Sequence, residues 1–346
     1  MIRFNCDYSE GAHPKILERL LQTNMEQLAG YGEDVYCRQA AELIKEKCAS
    51  PKAEVFFLTG GTQTNLTVLA ALLRPYQCVI SADSGHINVH ETGAIEATGH
   101  RILTAPEKNG KITAEQISRL CQEHWADDNP EFAPQPKVVY FSLPTEYGTI
   151  YSKKELLDIR RVCDENNLYL FIDGARLGYG LAAEGNDITL PDIAACCDAF
   201  YIGGTKMGAL IGEAVVIPNQ KLQKDFRYFM KQKGAMLAKG RILGLQFLTL
   251  FEDDLYMQLG RHADQMAQII KTACQEAGFE MLYDSPTNQQ FPILPNALVK
   301  KLEEDYVFAH TKRLDKNRTA IRICTSWATR EEDVRQLVAD IHKYSL

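Results

Sequence analysis

Short apolar runs recur along the first two thirds of the chain, and stretches of helical periodicity separate them. Glu54–Leu58, Gln77–Ser81, Lys137–Ser142, Leu168–Ile172, Ala199–Ile202 and Glu213–Ile217 are apolar nearly throughout, not at alternate positions only. Such strands need cover on both faces, and a strand–helix–strand order supplies it. The pattern therefore predicts an α/β fold built on a mostly parallel sheet. Helix Asn65–Leu73 follows the first run. A second helix, Lys154–Glu165, puts Leu156, Ile159, Val162 and Cys163 on one face before Asn166-Asn167 ends it.

After residue 218 the character changes. Helical patterns run from Leu222 to Ala277, and a mixed segment follows, with strand-like Thr319–Cys324 and helix Glu331–Tyr344. The expected division is an N-terminal segment (1–45), rich in turn signals and packed on the core or a neighbouring subunit. A large domain (46–250) and a small C-terminal α+β domain (251–346) follow it. The proline-bearing stretch 126–136 is the nearest thing to a structureless loop.

Composition narrows the function. A hydrophobic content of 45% and a charged content of 24% over 346 residues are those of an ordinary globular protein. The formal net charge of −7 gives no global field for nucleic acid or an anionic membrane. No apolar stretch is long enough to span a bilayer, and Met1–Asp7 carries no signal-peptide pattern, so a cytoplasmic protein is expected. Ten cysteines without a C-x-x-C pair read as reduced, buried thiols, and no metal site is expected.

Chemistry-bearing residues cluster where apolar runs end. Asp173 closes the run Leu168–Ile172, and a carboxylate there needs a cation or strong donors. It suits either a pyridine nitrogen or a structural partner such as Arg176. Lys206 follows the run Ala199–Ile202 and lies between Gly204 and Gly208, where small neighbours let a flat ring approach. An amine in such a low-dielectric site loses its proton readily and suits a Schiff base. Thr205 beside it offers a hydroxyl to a phosphate.

The turn Gly60-Gly61-Thr62-Gln63-Thr64-Asn65 links a strand to a helix and can hold a small phosphate ester on free N–H groups. It has neither the Walker ending nor dinucleotide spacing. His86 and His90 share one helical face with Glu91 alongside, yet lack the pattern of a zinc site. Glu146 follows the run Lys137–Ser142 and is either an ordinary loop acid or a group at the edge that bears Asp173. Arg322 alternates with apolar residues in Ala320–Trp327 and reads as a carboxylate fork or an ion pair.

Together these segments resemble the threonine aldolase and β-eliminating lyase group of fold-type-I pyridoxal phosphate enzymes. The matching stretches are Tyr31-Gly-Glu-Asp34, Gly60-Gly-Thr62, Gly85-His86 with Glu91-Thr-Gly-Ala94, Asp173-Gly-Ala-Arg-Leu177, Gly204-Thr-Lys206 and Arg322 with Thr325-Ser326. They run in the family's order over almost the whole chain. The resemblance implies a mostly parallel seven-stranded sheet flanked by helices. It implies pyridoxal 5'-phosphate with Lys206 as Schiff-base lysine, Asp173 as pyridinium partner and His86 on the ring.

By the same resemblance Gly61, Thr62 and Gln63 hold the phosphate, aided by Thr205. Arg176 serves the cofactor and, with Arg322, the substrate carboxylate. Lys239 reaches a neighbouring subunit's phosphate in a homodimer or homotetramer. The family's usual Asn-Thr-His after the fourth strand is absent: Thr145-Glu146-Tyr147-Gly148 stands there, and His90 replaces a common tyrosine. Glu146 or His86 is then expected to take the β-hydroxyl proton. The implied reaction is aldol cleavage of β-hydroxy-α-amino acids to glycine and an aldehyde, with β-elimination from another amino acid as the alternative.

Overall fold

The computed structural model describes residues 1–345. Strands β1 (Glu54–Leu58), β2 (Gln77–Ala82), β3 (Ile102–Ala105), β4 (Gln135–Ser142), β5 (Tyr169–Asp173), β6 (Ala199–Gly203) and β7 (Glu213–Ile217) form one seven-stranded sheet. Their order is β1-β7-β6-β5-β4-β2-β3. All neighbours pair in parallel except around β7, which runs antiparallel to both β1 and β6. The α/β expectation holds. Two apolar clusters cover the sheet's two faces: Ile172, Phe200 and Val216 point into one, Tyr140, Phe171 and Val215 into the other.

The strand β3 carried no sequence signal of its own. It has four residues between a glycine turn and a proline, too short for periodicity to show. The amino-terminal segment corrects the turn-rich expectation. Helices α1 (Pro14–Gln22) and α2 (Val35–Lys47) occupy much of it. Their start signals are an Nδ1 of His13 accepting from the Lys15 N–H, with Pro14 in the first turn, and Asp34 accepting from the Cys37 N–H. The helix α2 runs across residue 45, and the helix Arg241–Phe251 runs across residue 250.

The carboxyl-terminal part is a separate antiparallel sheet. Its strand Arg318–Cys324 pairs with Ile293–Pro295, Ala309–Arg313 and Gln289–Gln290. The helix Glu331–Tyr344 packs on it through Val334, Leu337 and Ile341, joined by Ile270 and Cys274 of the long helix Leu255–Glu276. All ten cysteines are unpaired, and only Cys6 is not buried. No helix is long and apolar enough to cross a membrane among the described residues.

Candidate active site

Because β1, β2, β4, β5 and β6 share one direction, their carboxyl ends meet at one edge of the sheet, where the antiparallel β7 begins. Ligands gather at that edge in open α/β sheets. The topology thus brings together the Gly60–Gln63 turn, His86, Glu146, Asp173 and Lys206, residues far apart in sequence.

Asp173 is the last residue of β5 and is 3% exposed. Four donors converge on it: Tyr201 OH at 2.5 Å and the Ala175 N–H at 3.0 Å on Oδ1, Tyr140 OH at 2.6 Å and Asn65 Nδ2 at 3.0 Å on Oδ2. Burial alone would raise its carboxyl, but the nearby His86, the two phenols and the Ala175 N–H outweigh burial and hold it below the ordinary range. The anion is stable where it sits. Gly174 follows because nothing else fits: a Cβ there would stand 1.9 Å from the Tyr201 carbonyl oxygen.

Lys206 leaves β6 through a turn stapled to the start of β7. The Gly204 and Thr205 N–H groups donate to the Gly212 carbonyl at 3.0 and 3.1 Å, and the Gly212 N–H returns to Thr205 Oγ1 at 3.0 Å. Thr205 therefore spends its hydroxyl on the turn. Gly208 takes a left-handed φ of 93°, and its carbonyl accepts from the His13 N–H at 2.8 Å. The Lys206 amine has no protein partner among the described residues. Burial and the neighbouring Arg176 push it below the usual lysine range, against the pull of Asp7, Asp173 and Glu213.

The phosphate-like turn is itself helical. Helix α3 (Gly61–Leu72) begins four residues before the predicted start, with Gly60 as a cap that has no side chain to offer. The first turn therefore presents the free N–H groups of Gly61, Thr62 and Gln63. A Cβ at Gly60 would meet nothing within 4 Å, so the turn opens on space. The Gln63 side chain is engaged elsewhere, accepting from Thr59 Oγ1 at 2.6 Å and donating to the Lys233 carbonyl at 3.2 Å.

His86 opens the short helix α4 (His86–Val89). Its Nδ1 lies 2.8 Å from Oε1 of the buried Glu91, which also accepts from Asn65 Nδ2 at 2.7 Å. The His90 ring is 5.5 Å away, and burial, His86, Arg322 and Arg176 push that imidazole down. Glu146 Oε1 accepts from the His86 N–H at 2.7 Å and from Ser142 Oγ at 2.8 Å, and burial raises its carboxyl. That acid seats the backbone of His86.

Arg176 is 13% exposed and carries its own anion, Asp7. Arg322 lies on the strand Arg318–Cys324 with a buried Nε that has no partner among the described residues. Lys239 is exposed. Sequence reasoning missed Asn65, Tyr140, Tyr201, Asp7 and Glu213. Only Glu213 left a signal, as a charge opening an otherwise apolar strand. It is 4% exposed, accepts from the Gly204 N–H at 3.1 Å, and burial pushes it up to about 8 despite Lys206.

An unpaired amine, a buried anion and an open helix start at one edge fit pyridoxal phosphate. Comparisons with known proteins point the same way. The profile of the beta-eliminating lyase family matches residues 6–296. The low specificity L-threonine aldolase of a Pseudomonas species is 30% identical over 347 residues, covering 98% of this chain and 96% of its own. A solved structure of Leishmania major threonine aldolase has a TM-score of 0.98 at 44% identity and covers 100% of both chains. A Thermus thermophilus aspartate aminotransferase, 15% identical with a TM-score of 0.71 and 92% of its chain covered, shares the fold alone.

Proposed function

The chain belongs to the beta-eliminating lyase family, and from that premise we propose that it cleaves β-hydroxy-α-amino acids to glycine and an aldehyde. It is a pyridoxal phosphate-dependent carbon–carbon lyase of fold type I. Threonine, allo-threonine and phenylserine are the substrates in view. The observation that carries this reading is that Lys206, whose amine is unpaired, and Asp173, whose anion four donors stabilise, stand at the carboxyl ends of neighbouring parallel strands.

When bound, pyridoxal phosphate supplies an electron sink conjugated to the substrate's Cα. Lys206 would hold the cofactor, and the anionic Asp173 would keep its ring nitrogen protonated. The N–H groups of Gly61, Thr62 and Gln63 receive the phosphate, with Thr205 shaping the turn beside it. Arg176 and Arg322 would seat the substrate carboxylate and so orient the amino acid for cleavage of one particular Cα bond. His86 would lie beside the cofactor and take the β-hydroxyl proton through Nε2, because Glu91 holds Nδ1. Glu146 acts through His86 by fixing its backbone. We read the protein as cytoplasmic and as a homodimer or homotetramer, in which the exposed Lys239 reaches a neighbouring subunit's phosphate.

The test has two arms. Lys206→Ala is expected to abolish the borohydride-trapped cofactor adduct; an adduct persisting on another lysine overturns the assignment. L- and D-threonine, allo-threonine and phenylserine are then assayed for glycine. Pyruvate with ammonia, and no glycine, would replace aldol cleavage by β-elimination.

A further inference from the structure

Both arginines assigned to the substrate carboxylate are held by one short stretch of chain ahead of α1. Asp7 is fully buried and takes Arg176 as a fork, with Nε 2.6 Å from Oδ2 and Nη2 3.0 Å from Oδ1. Asn288 Nδ2 adds a bond to Oδ2 at 3.0 Å and also donates to the Thr325 carbonyl at 2.8 Å. Two residues before Asp7, the Asn5 carbonyl accepts from Arg322 Nη2 at 3.0 Å. The Phe4 carbonyl accepts from the Cys324 N–H at 2.7 Å, which pins the stretch to the strand bearing Arg322.

The fork leaves Arg176 Nη1 as the one terminal nitrogen of that guanidinium without a protein partner among the described residues. A second carboxylate cannot take the Nε–Nη2 edge, because Asp7 fills it. Charge gives the same reason for Asp7. Arg176 and Lys206 act on each other as buried like charges, and an uncompensated pair is costly in a low-dielectric site. Burial would raise the Asp7 carboxyl, yet Arg176 and Lys206 hold it down at about 2, so it stays an anion throughout the working range.

We propose that Asp7 is a positioning residue for the α-carboxylate of the substrate: by closing the Nε–Nη2 edge of Arg176 it leaves the Nη1–Nη2 end of that guanidinium for the carboxylate, beside Arg322. This rests on the function proposed above. Asp7 touches no substrate itself. It sets the angle at which one of the two guanidiniums meets the carboxylate, and the N-terminal stretch thereby becomes part of the specificity apparatus.

The test compares two amines on the cofactor-loaded protein, glycine with a carboxylate and methylamine without one, by titrating the cofactor's absorbance. Asp7→Asn is expected to weaken the response to glycine roughly tenfold to a hundredfold, the range for a charged hydrogen bond, with the response to methylamine unchanged. Asp7→Glu should recover part of the loss. Equal weakening for both amines marks a general structural role and overturns the proposal, as does an unchanged glycine response. Should Asp7→Asn not fold, Asn288→Ser removes one bond to Asp7 and carries the same comparison, with a shift of about two- to fivefold confined to glycine. A wild-type protein indifferent to glycine but responsive to methylamine would remove the amino acid reading itself, and this proposal with it.

Discussion

Glu91 and His86 form a carboxylate–imidazole pair, with Oε1 2.8 Å from Nδ1 and the Glu91 side chain wholly buried. The pair sets the tautomer. With a proton on Nδ1 facing the carboxylate, Nε2 keeps its lone pair and can accept a proton. Asn65 extends the chain, bridging Glu91 Oε1 at 2.7 Å to Asp173 Oδ2 at 3.0 Å, so the candidate base and the candidate ring-nitrogen partner share one buried network.

Glu91→Gln should therefore lower kcat by about tenfold to a hundredfold while KM moves little, because the imidazole loses its orienting anion and not its place. Steady-state kinetics with threonine check this. A parallel fall in cofactor occupancy would instead make Glu91 part of the cofactor's seat.

Asp173→Asn removes the anion on which four donors converge. Neutral amide geometry cannot accept from all four, so buried phenols lose partners and stability should fall by about 3 kcal/mol. Activity should fall by roughly a hundredfold or more, since the ring nitrogen no longer keeps its proton. Urea unfolding and kinetics measure the two effects separately. Unchanged activity would remove Asp173 from the mechanism.

Glu213 makes the stability of the cofactor-stripped protein depend on pH. Unfolded, its carboxyl titrates near 4.5; folded, burial pushes it up to about 8. The folded protein thus keeps a proton that the unfolded chain releases, and stability from this group declines as pH rises from 4.5 toward 8, then levels off. Glu213→Gln should flatten that decline, giving a variant whose advantage over wild type grows across this window. Parallel curves of stability against pH for the two proteins would contradict it.

Gly174→Ala tests the close approach of the turn after β5 to β6. The added Cβ would stand 1.9 Å from the Tyr201 carbonyl oxygen, and a backbone atom cannot swing aside. The backbone must shift, at a cost of about 3 kcal/mol, and Asp173 beside it moves too. A thermal melt within about one degree of wild type would mean the turn is looser than the structure shows.

The sheet was legible because its strands are doubly covered, and double cover writes itself as apolar runs. The short β3 and the helices of the first 45 residues were not. β3 is too brief to show a period, and α1 and α2 are carried by capping and by packing against the helix Arg241–Phe251, far along the chain. Lys206, Asp173 and the Gly60 turn stood out as candidates for a related reason. A charge at the end of a buried strand must find a partner, and a glycine pair at a strand–helix junction leaves backbone N–H groups open to a ligand.

The partners were another matter. Nothing around Asp7 in the sequence marks it as the anion of Arg176, since the two stand 169 residues apart and Asp7 lies in an irregular segment. Tyr140 and Tyr201 read as ordinary strand aromatics until the sheet register brings both phenols onto Asp173. The amino-acid order alone determined which strands are buried and which chemical groups stand at their ends, because burial and backbone direction are local properties of composition. Only the tertiary structure decided which charges meet: hydrogen bonds and ion pairs act over about 3 Å, and the fold alone brings distant residues that close.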